Sequence, residues 1–342
     1  MGISFSNNRS GNIVIFSNVR RSGAEVLYST ETFAKKPIEH VVSNTSGGSI
    51  TVTGGSAEHK VEVYVSSNNG STLSKEQIQA RLKEHYELEV EVEDGTLAAS
   101  ARRKSAHFSC RKLNISFSIY VAGKVSTHLR TVGGDITLRN LTGNLHDFKT
   151  SGGDLTIARL NGQIRGMTSG GDIHISNSKD DIDMSTSGGN VNASDCSGRL
   201  HLRTSGGDVE LDHLEGTIDA RTSGGDVRAD TINGSLAVST SGGDLNLKRI
   251  SGSLDARASG GDISVSMTEI NGDTKVSSSC GDVSLRLPSD GNYYLNAFGM
   301  DVTTSGLDRN FGMISETAAR GKVNGGGASV TVKGDDVHIK LV

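Results

Sequence analysis

"DVELDHLEGTIDARTSGGDVRADTINGSLAVSTSGGDLNL", residues 208–247, states nearly the same phrase twice. TSGGD followed by an aliphatic residue returns at a fixed interval, with a further glycine about midway. The residue after the glycine doublet is Asp135, Asp154, Asp172, Asn190, Asp208, Asp226, Asp244 and Asp262, then Asp282 after a single glycine. The intervals are 19, then 18 six times, then 20 residues. An internal period this regular is the signature of a solenoid.

With the Asp as position zero, position one is Ile173, Val191, Val209, Val227 or Leu245, and position three is Ile175, Ala193, Leu211, Ala229 or Leu247. Alternation of this kind is a strand with one buried face. Position six is usually aliphatic (Leu160, Leu214, Ile232, Ile250) and position eight usually glycine. Positions ten and twelve are apolar or small again (Ile182 and Met184, Leu200 and Leu202, Ile218 and Ala220), so a second strand runs over about positions nine to fourteen. Eighteen residues are too few for a helix–turn–helix repeat, and no stretch here keeps a 3.6-residue period. The pattern predicts an all-β fold, a single-stranded parallel β-helix with coils of about 18 residues, right-handed because the hexapeptide pattern of left-handed triangles is missing. Successive coils would stack about 4.8 Å apart, giving a regular section roughly 40 Å long. The SGG phrase is then a corner, where glycine supplies positive φ and lets coils stack without Cβ clashes. Whether a coil has two or three faces stays open, because position six is buried but short of a strand.

Composition agrees with many short strands. Glycine is abundant (44), proline scarce (2), aromatics are 4% and tryptophan is absent. The formal charge of −4 gives no basic footprint for nucleic acid. No run of eighteen apolar residues exists, so no transmembrane segment is expected, and the start lacks the pattern of a secretion signal. Cys110, Cys196 and Cys280 are an odd, widely spaced set, poor material for a disulfide framework or a zinc site.

Upstream, "SNTSGGSITVTGG" (43–55) is another copy of the corner, with Ser49 in the Asp slot. "STLSKEQIQARLKEHYEL" predicts one short inserted helix from about Lys75 to Tyr86, capped by Ser74 with Gln77 completing a capping box. Past Pro288 the period loosens, and "GKVNGGGASVTVKGDDVHIKLV" (321–342) reads as a last pair of coils. The chain therefore divides into an N-terminal β region with its helix (1–125), regular coils (126–288) and irregular C-terminal coils (289–342), expected to form one continuous elongated domain.

The series "TVGGDITL", "TSGGDLTI", "TSGGDIHI", "TSGGDVEL", "TSGGDLNL", led in by "ISFSIYVAGKVSTHLRT" and closed by "NGGGASVTVKGDDVHI", resembles the bacterial "putative adhesin" family of β-strand-repeat proteins, a domain of unknown function. The resemblance covers roughly residues 33–342. It implies a parallel β-helix in an exported, envelope-associated protein, and carries over no catalytic residue.

The carboxylate column is the sharpest chemical feature. Carboxylates about 5 Å apart repel by roughly 1 kcal/mol per adjacent pair in water, so something must compensate. One reading makes Asp208, Asp226, Asp244 and Asp262 a row of cation sites. The favoured reading is structural, each Asp accepting backbone N–H groups of the corner, since one carboxylate per coil is too few for a metal and Asn190 can replace it. Outward charges on the second strand, Asp183, Asp219 and Asp255 with Arg203, Arg221 and Arg257, are expected to pair diagonally between coils. The Thr column (Thr150, Thr168, Thr186, Thr204, Thr222, Thr240) shares parity with buried positions and is expected to point inward rather than to bind ice. His174, His201 and His213 share no column, Cys196 falls at the aliphatic position six, and no phosphate-loop ending follows the glycines of 321–329. No catalytic residue, cofactor or metal site is assigned. The expectation is a non-enzymatic rod that engages an unknown macromolecule, a glycan or a protein, along its flank. Its rivals are a carbohydrate-active β-helix enzyme and a purely structural spacer.

Overall fold

In this computed structural model, residues 25–33, 37–68, 73–104, 113–307 and 311–342 are described, forming twenty-five strands and one helix. Cys110 lies outside the described residues. The 18-residue period becomes the pairing register. Leu155 lies beside Ile173, Ile173 beside Val191, Val191 beside Val209 and Val209 beside Val227, all parallel. The column at position one is wholly buried, as are Ile218 and Leu200 at position ten and Leu202 and Ala220 at position twelve. Each large aliphatic side chain so removed from water contributes about 1.5–3 kcal/mol, and the columns make one narrow continuous core.

The regular coils between Leu155 and Ala258 bend three times, which gives them three faces. The first bend is the SGG corner. The second is position five, where Arg159, Asn177, Asp195, His213, Thr231 and Arg249 take left-handed backbone with φ between 51° and 57°. The third is position eight, where Gly216 and Gly234 sit at φ 120° and 130°. Position six is thus a short side between two turns. Positive φ belongs to these latter bends and not to the glycine doublet, contrary to the sequence reading. The doublet is required by packing: a Cβ on Gly225 would stand 2.1 Å from the carbonyl oxygen of Gly207 in the coil below.

The two departures from the period are absorbed near the third bend. In the 19-residue interval, Asn161 pairs with Thr142 but Gln163 pairs with Leu145, one extra residue against Gly162. In the 20-residue interval, Ile270 pairs with Gly252 and Thr274 with Leu254, so two surplus residues bulge at 271–273. The buried columns on either side keep their register, because a slip of one residue would turn every apolar side chain outward.

The coils are not stacked in chain order at the ends. Strands His40–Thr45 and Ile50–Thr53 lie between Thr96–Arg103 and Leu113–Tyr120 on one side and Ser126–Arg130 and Ile136–Lys149 on the other. At the far end the last two strands, Ala328–Lys333 and Asp336–Leu341, slide between Ile263–Ser278 with Val283–Leu287 and Tyr293–Phe298 with Asp301–Ser305. Segment 321–342 does supply a coil, as expected, but it is the penultimate one. Antiparallel pairs lie beyond: Val26–Phe33 on His59–Ser67, Tyr86–Glu93 on Thr96–Arg103, and Gly312–Ile314 on Ala318–Val323. A purely parallel helix is therefore corrected at both ends. An open coil presents a row of unpaired backbone groups, and a hairpin folded over it reduces that edge.

The helix Lys75–His85 forms as read. Gln77 N–H donates to Ser74 Oγ at 3.3 Å, Ser74 N–H donates to Gln77 Oε1 at 3.1 Å, and Ile78 and Leu82 are its buried contacts.

Candidate binding surface

The corner residues resolve into two hydrogen-bonded columns. Asp226 N–H donates to Asp208 Oδ1, Asp244 N–H to Asp226 Oδ1 and Asp262 N–H to Asp244 Oδ1, all at 2.9 Å. Asn190 takes part through its own Oδ1, which accepts from Asp208 N–H at 2.8 Å. The column continues through Asp282 to Asp336, and upstream through Ser49 Oγ, which accepts from Asp135 N–H at 3.1 Å. Each rung uses one oxygen as an acceptor for the next coil's N–H, which is why Asp, Asn and Ser interchange. Arg228 spans the second oxygens of Asp208 (3.2 Å) and Asp226 (2.7 Å), offsetting part of the repulsion. Among the described residues no group of three His, Cys, Asp or Glu side chains is placed to hold a metal.

A measurable contrast follows. Asp226→Asn keeps the acceptor and is expected to change unfolding free energy by less than about 0.5 kcal/mol. Asp226→Ala removes the acceptor of the Asp244 N–H and one of the two carboxylates held by Arg228, and is expected to cost about 1 kcal/mol in urea denaturation.

The Thr column points inward. Thr204 Oγ1 donates to the Gly189 carbonyl at 2.7 Å and accepts from Gly207 N–H at 3.3 Å, and Thr168, Thr186, Thr222 and Thr240 repeat the pattern. Its hydroxyls fasten one corner to the one below, so they form no exposed array.

The longest side of each coil, positions nine to fourteen, presents two outward columns. Position thirteen runs Arg130, Lys149, Met167, Ser185, Arg203, Arg221, Ser239, Arg257, Ser277, Lys333. Position eleven runs His128, Asp147, Arg165, Asp183, His201, Asp219, Ala237, Asp255, Lys275. In the position-eleven column carboxylates stand on every second rung, so they are about 10 Å apart rather than 5 Å. Among the residues read from the repeat, the ion pairs run along a strand and not diagonally between coils, correcting the sequence reading; the diagonal pair on this flank is Arg130 with Asp147 at its N-terminal end. Arg221 grips Asp219 through Nε (2.8 Å) and Nη2 (2.9 Å), Arg257 holds Asp255, and Asp183 and Arg203 form no pair among the described residues. The geometric reason is reach: on one strand, residues two apart point to the same face.

A recess of about 290 Å³ opens at the N-terminal end of this flank, lined by Val42, Asn44, Glu89, Arg102, His128 and Arg130 among others. Small side chains at Ala98 and Ser100 leave the space. Glu89 Oε2 accepts from Ser100 Oγ at 3.2 Å, and Asp147, next to the recess, accepts from Arg130 Nη2 (2.5 Å) and faces His128 Nδ1 (3.1 Å). This grouping joins strands pairing across 43–149 and had no signature in the repeat. The remaining singled-out residues stay apart. His174 bonds Asn192, His213 sits beside Asp212, and Cys280 is exposed. Cys196 is buried, and burial pushes its thiol up to about 11, so it is an inert packing residue.

The chain belongs to the Toastrack DUF4097 family, whose model matches residues 7–241 and 232–333. Solved structures similar to it include a "putative adhesin" from Parabacteroides distasonis (12% identity, 75% of this chain and 96% of that one, TM-score 0.42). Another is a "putative adhesin" from Bacteroides fragilis (15% identity, 94% and 98%, TM-score 0.32). A third is a "putative lipid binding protein" from Parabacteroides distasonis (15% identity, 94% and 98%, TM-score 0.32). Scores this low transfer neither a ligand nor an activity. No curated protein matches the chain.

Proposed function

We propose that this is a non-enzymatic protein of the cell envelope or surface that binds another macromolecule along its flank. The observation that supports the reading is register. Ten successive rungs, from Arg130 to Lys333, hold their outward side chains in straight columns, a long rigid surface that suits an extended partner better than turnover of a small substrate. The rod acts as one continuous unit, its coils wind right-handed as parallel crossovers do in nearly all sheets, and its Asp column is structural and takes no metal. No helix among the described residues is long and apolar enough to cross a membrane.

The test is a glycan and matrix-protein array probed with the full chain, run beside a polysaccharide-cleavage screen. Retention of a partner without product release is the expected result. Product release would replace this reading with the carbohydrate-active one, whose geometric support is the recess holding Glu89 beside Arg102, His128 and Arg130.

A further inference from the structure

We infer that the flank formed by positions eleven and thirteen docks a linear acidic polysaccharide in which charged and neutral sugars alternate. The inference rests on the flank-binding reading and names its partner.

Charge is the first observation. The position-thirteen column holds six cations (Arg130, Lys149, Arg203, Arg221, Arg257, Lys333) and no carboxylate over ten rungs. The position-eleven column adds Arg165 and Lys275 against Asp147, Asp183, Asp219 and Asp255. Eight cations against four carboxylates make this flank +4 on a chain of formal charge −4, so the remainder of the chain carries −8. Of the eight, Lys149, Arg165, Arg203, Lys275 and Lys333 are exposed and hold no carboxylate among the described residues.

Spacing selects the polymer. Arg221, Ser239, Arg257, Ser277 and Lys333 are consecutive rungs, so cation and hydroxyl alternate, with cations about 10 Å apart. An extended chain of alternating acidic and neutral sugars meets such a column with carboxylate on cation and hydroxyl on serine. Duplex DNA carries one charge per about 1.7 Å, far denser than cations about 10 Å apart on this flank can neutralise. A lipid surface would call for several exposed apolar side chains, and among the large exposed ones this column holds Met167 against six cations.

The experiment titrates the full chain with hyaluronan, an alternating uronate and neutral amino sugar polymer, and in parallel with duplex DNA and anionic phosphatidylglycerol vesicles. Two variants of equal charge change are compared: Arg221→Gln/Arg257→Gln/Lys333→Gln on this flank, and Lys248→Gln/Arg286→Gln/Lys340→Gln at position four on the first side. Salt-sensitive hyaluronan binding is expected, weakened about tenfold in the first variant and within twofold of the parent in the second. Equal loss in both variants, or no binding to hyaluronan, overturns the inference. Tighter binding to DNA or to vesicles does so as well. A protein or neutral-glycan partner from the array that both variants retain would sink this inference alone and leave flank binding standing. An array with no partner at all would sink both.

Discussion

Replacing Gly225 by alanine is expected to destabilise the rod by about 3 kcal/mol or more, while the same change at its neighbour Gly224 costs less than about 1 kcal/mol. The two glycines are adjacent in sequence and neither has positive φ, so propensity does not separate them. Contact does. A Cβ on Gly225 would lie 2.1 Å from the Gly207 oxygen and 2.5 Å from its carbonyl carbon, backbone atoms that cannot yield without breaking the register of two coils. On Gly224 the nearest atom is 3.6 Å away, an ordinary contact. Urea denaturation of both variants checks this, and a pair of similar midpoints would refute the close-stacking account of the corner. Gly207 and Gly243 have the same 2.1 Å clash and should behave as Gly225 does.

Acid is expected to weaken the fold through one residue, His146. Its column is mostly aliphatic: it sits between Thr127 and Ile164, fully buried, with Nδ1 against Thr127 Oγ1 at 3.2 Å and no hydrogen-bond partner for Nε2 among the described residues. Burial lowers its pKa from the ordinary 6.5 to about 4, against a weaker opposing pull from the Asn161 backbone. In the unfolded chain the ring gains its proton near 6.5, and in the folded chain only near 4. Between those values the unfolded state binds more protons, so stability is intact above about pH 6.5 and falls as pH drops toward 4. Two and a half units correspond to roughly 3 kcal/mol. Denaturation at pH 7 and pH 4.5 should show most of this loss in the parent and not in Thr127→Val/His146→Leu, which replaces the buried polar pair by aliphatic groups. An undiminished loss in the double variant would place the acid sensitivity elsewhere.

The amino-acid sequence by itself determined the coil. A period of two sets which side chains of a strand are buried, and a period of eighteen sets which residue lies beside which, so Val209 on Val227 and Thr204 at its corner were legible without coordinates. The capping box at Ser74 was equally local. Only the tertiary structure decided what depends on which coil follows which. Every SGG corner is nearly interchangeable, so nothing in residues 43–55 states that they stack directly under Asp135, some eighty residues further along the chain. The same applies to 328–341, which reads like a final coil and is the one before it. The basic column was partly visible as Arg203, Arg221 and Arg257, but Arg130, Lys149 and Lys333 join it through the 19-residue bulge and the threaded last strands, neither of which obeys the period. The reason for the second glycine was hidden likewise, since the atom it must avoid belongs to the coil below and not to its own turn. Local periodicity fixes faces and columns because each follows from backbone geometry alone. The order of coils, and the charges that order brings side by side, follow from contacts between segments that look alike.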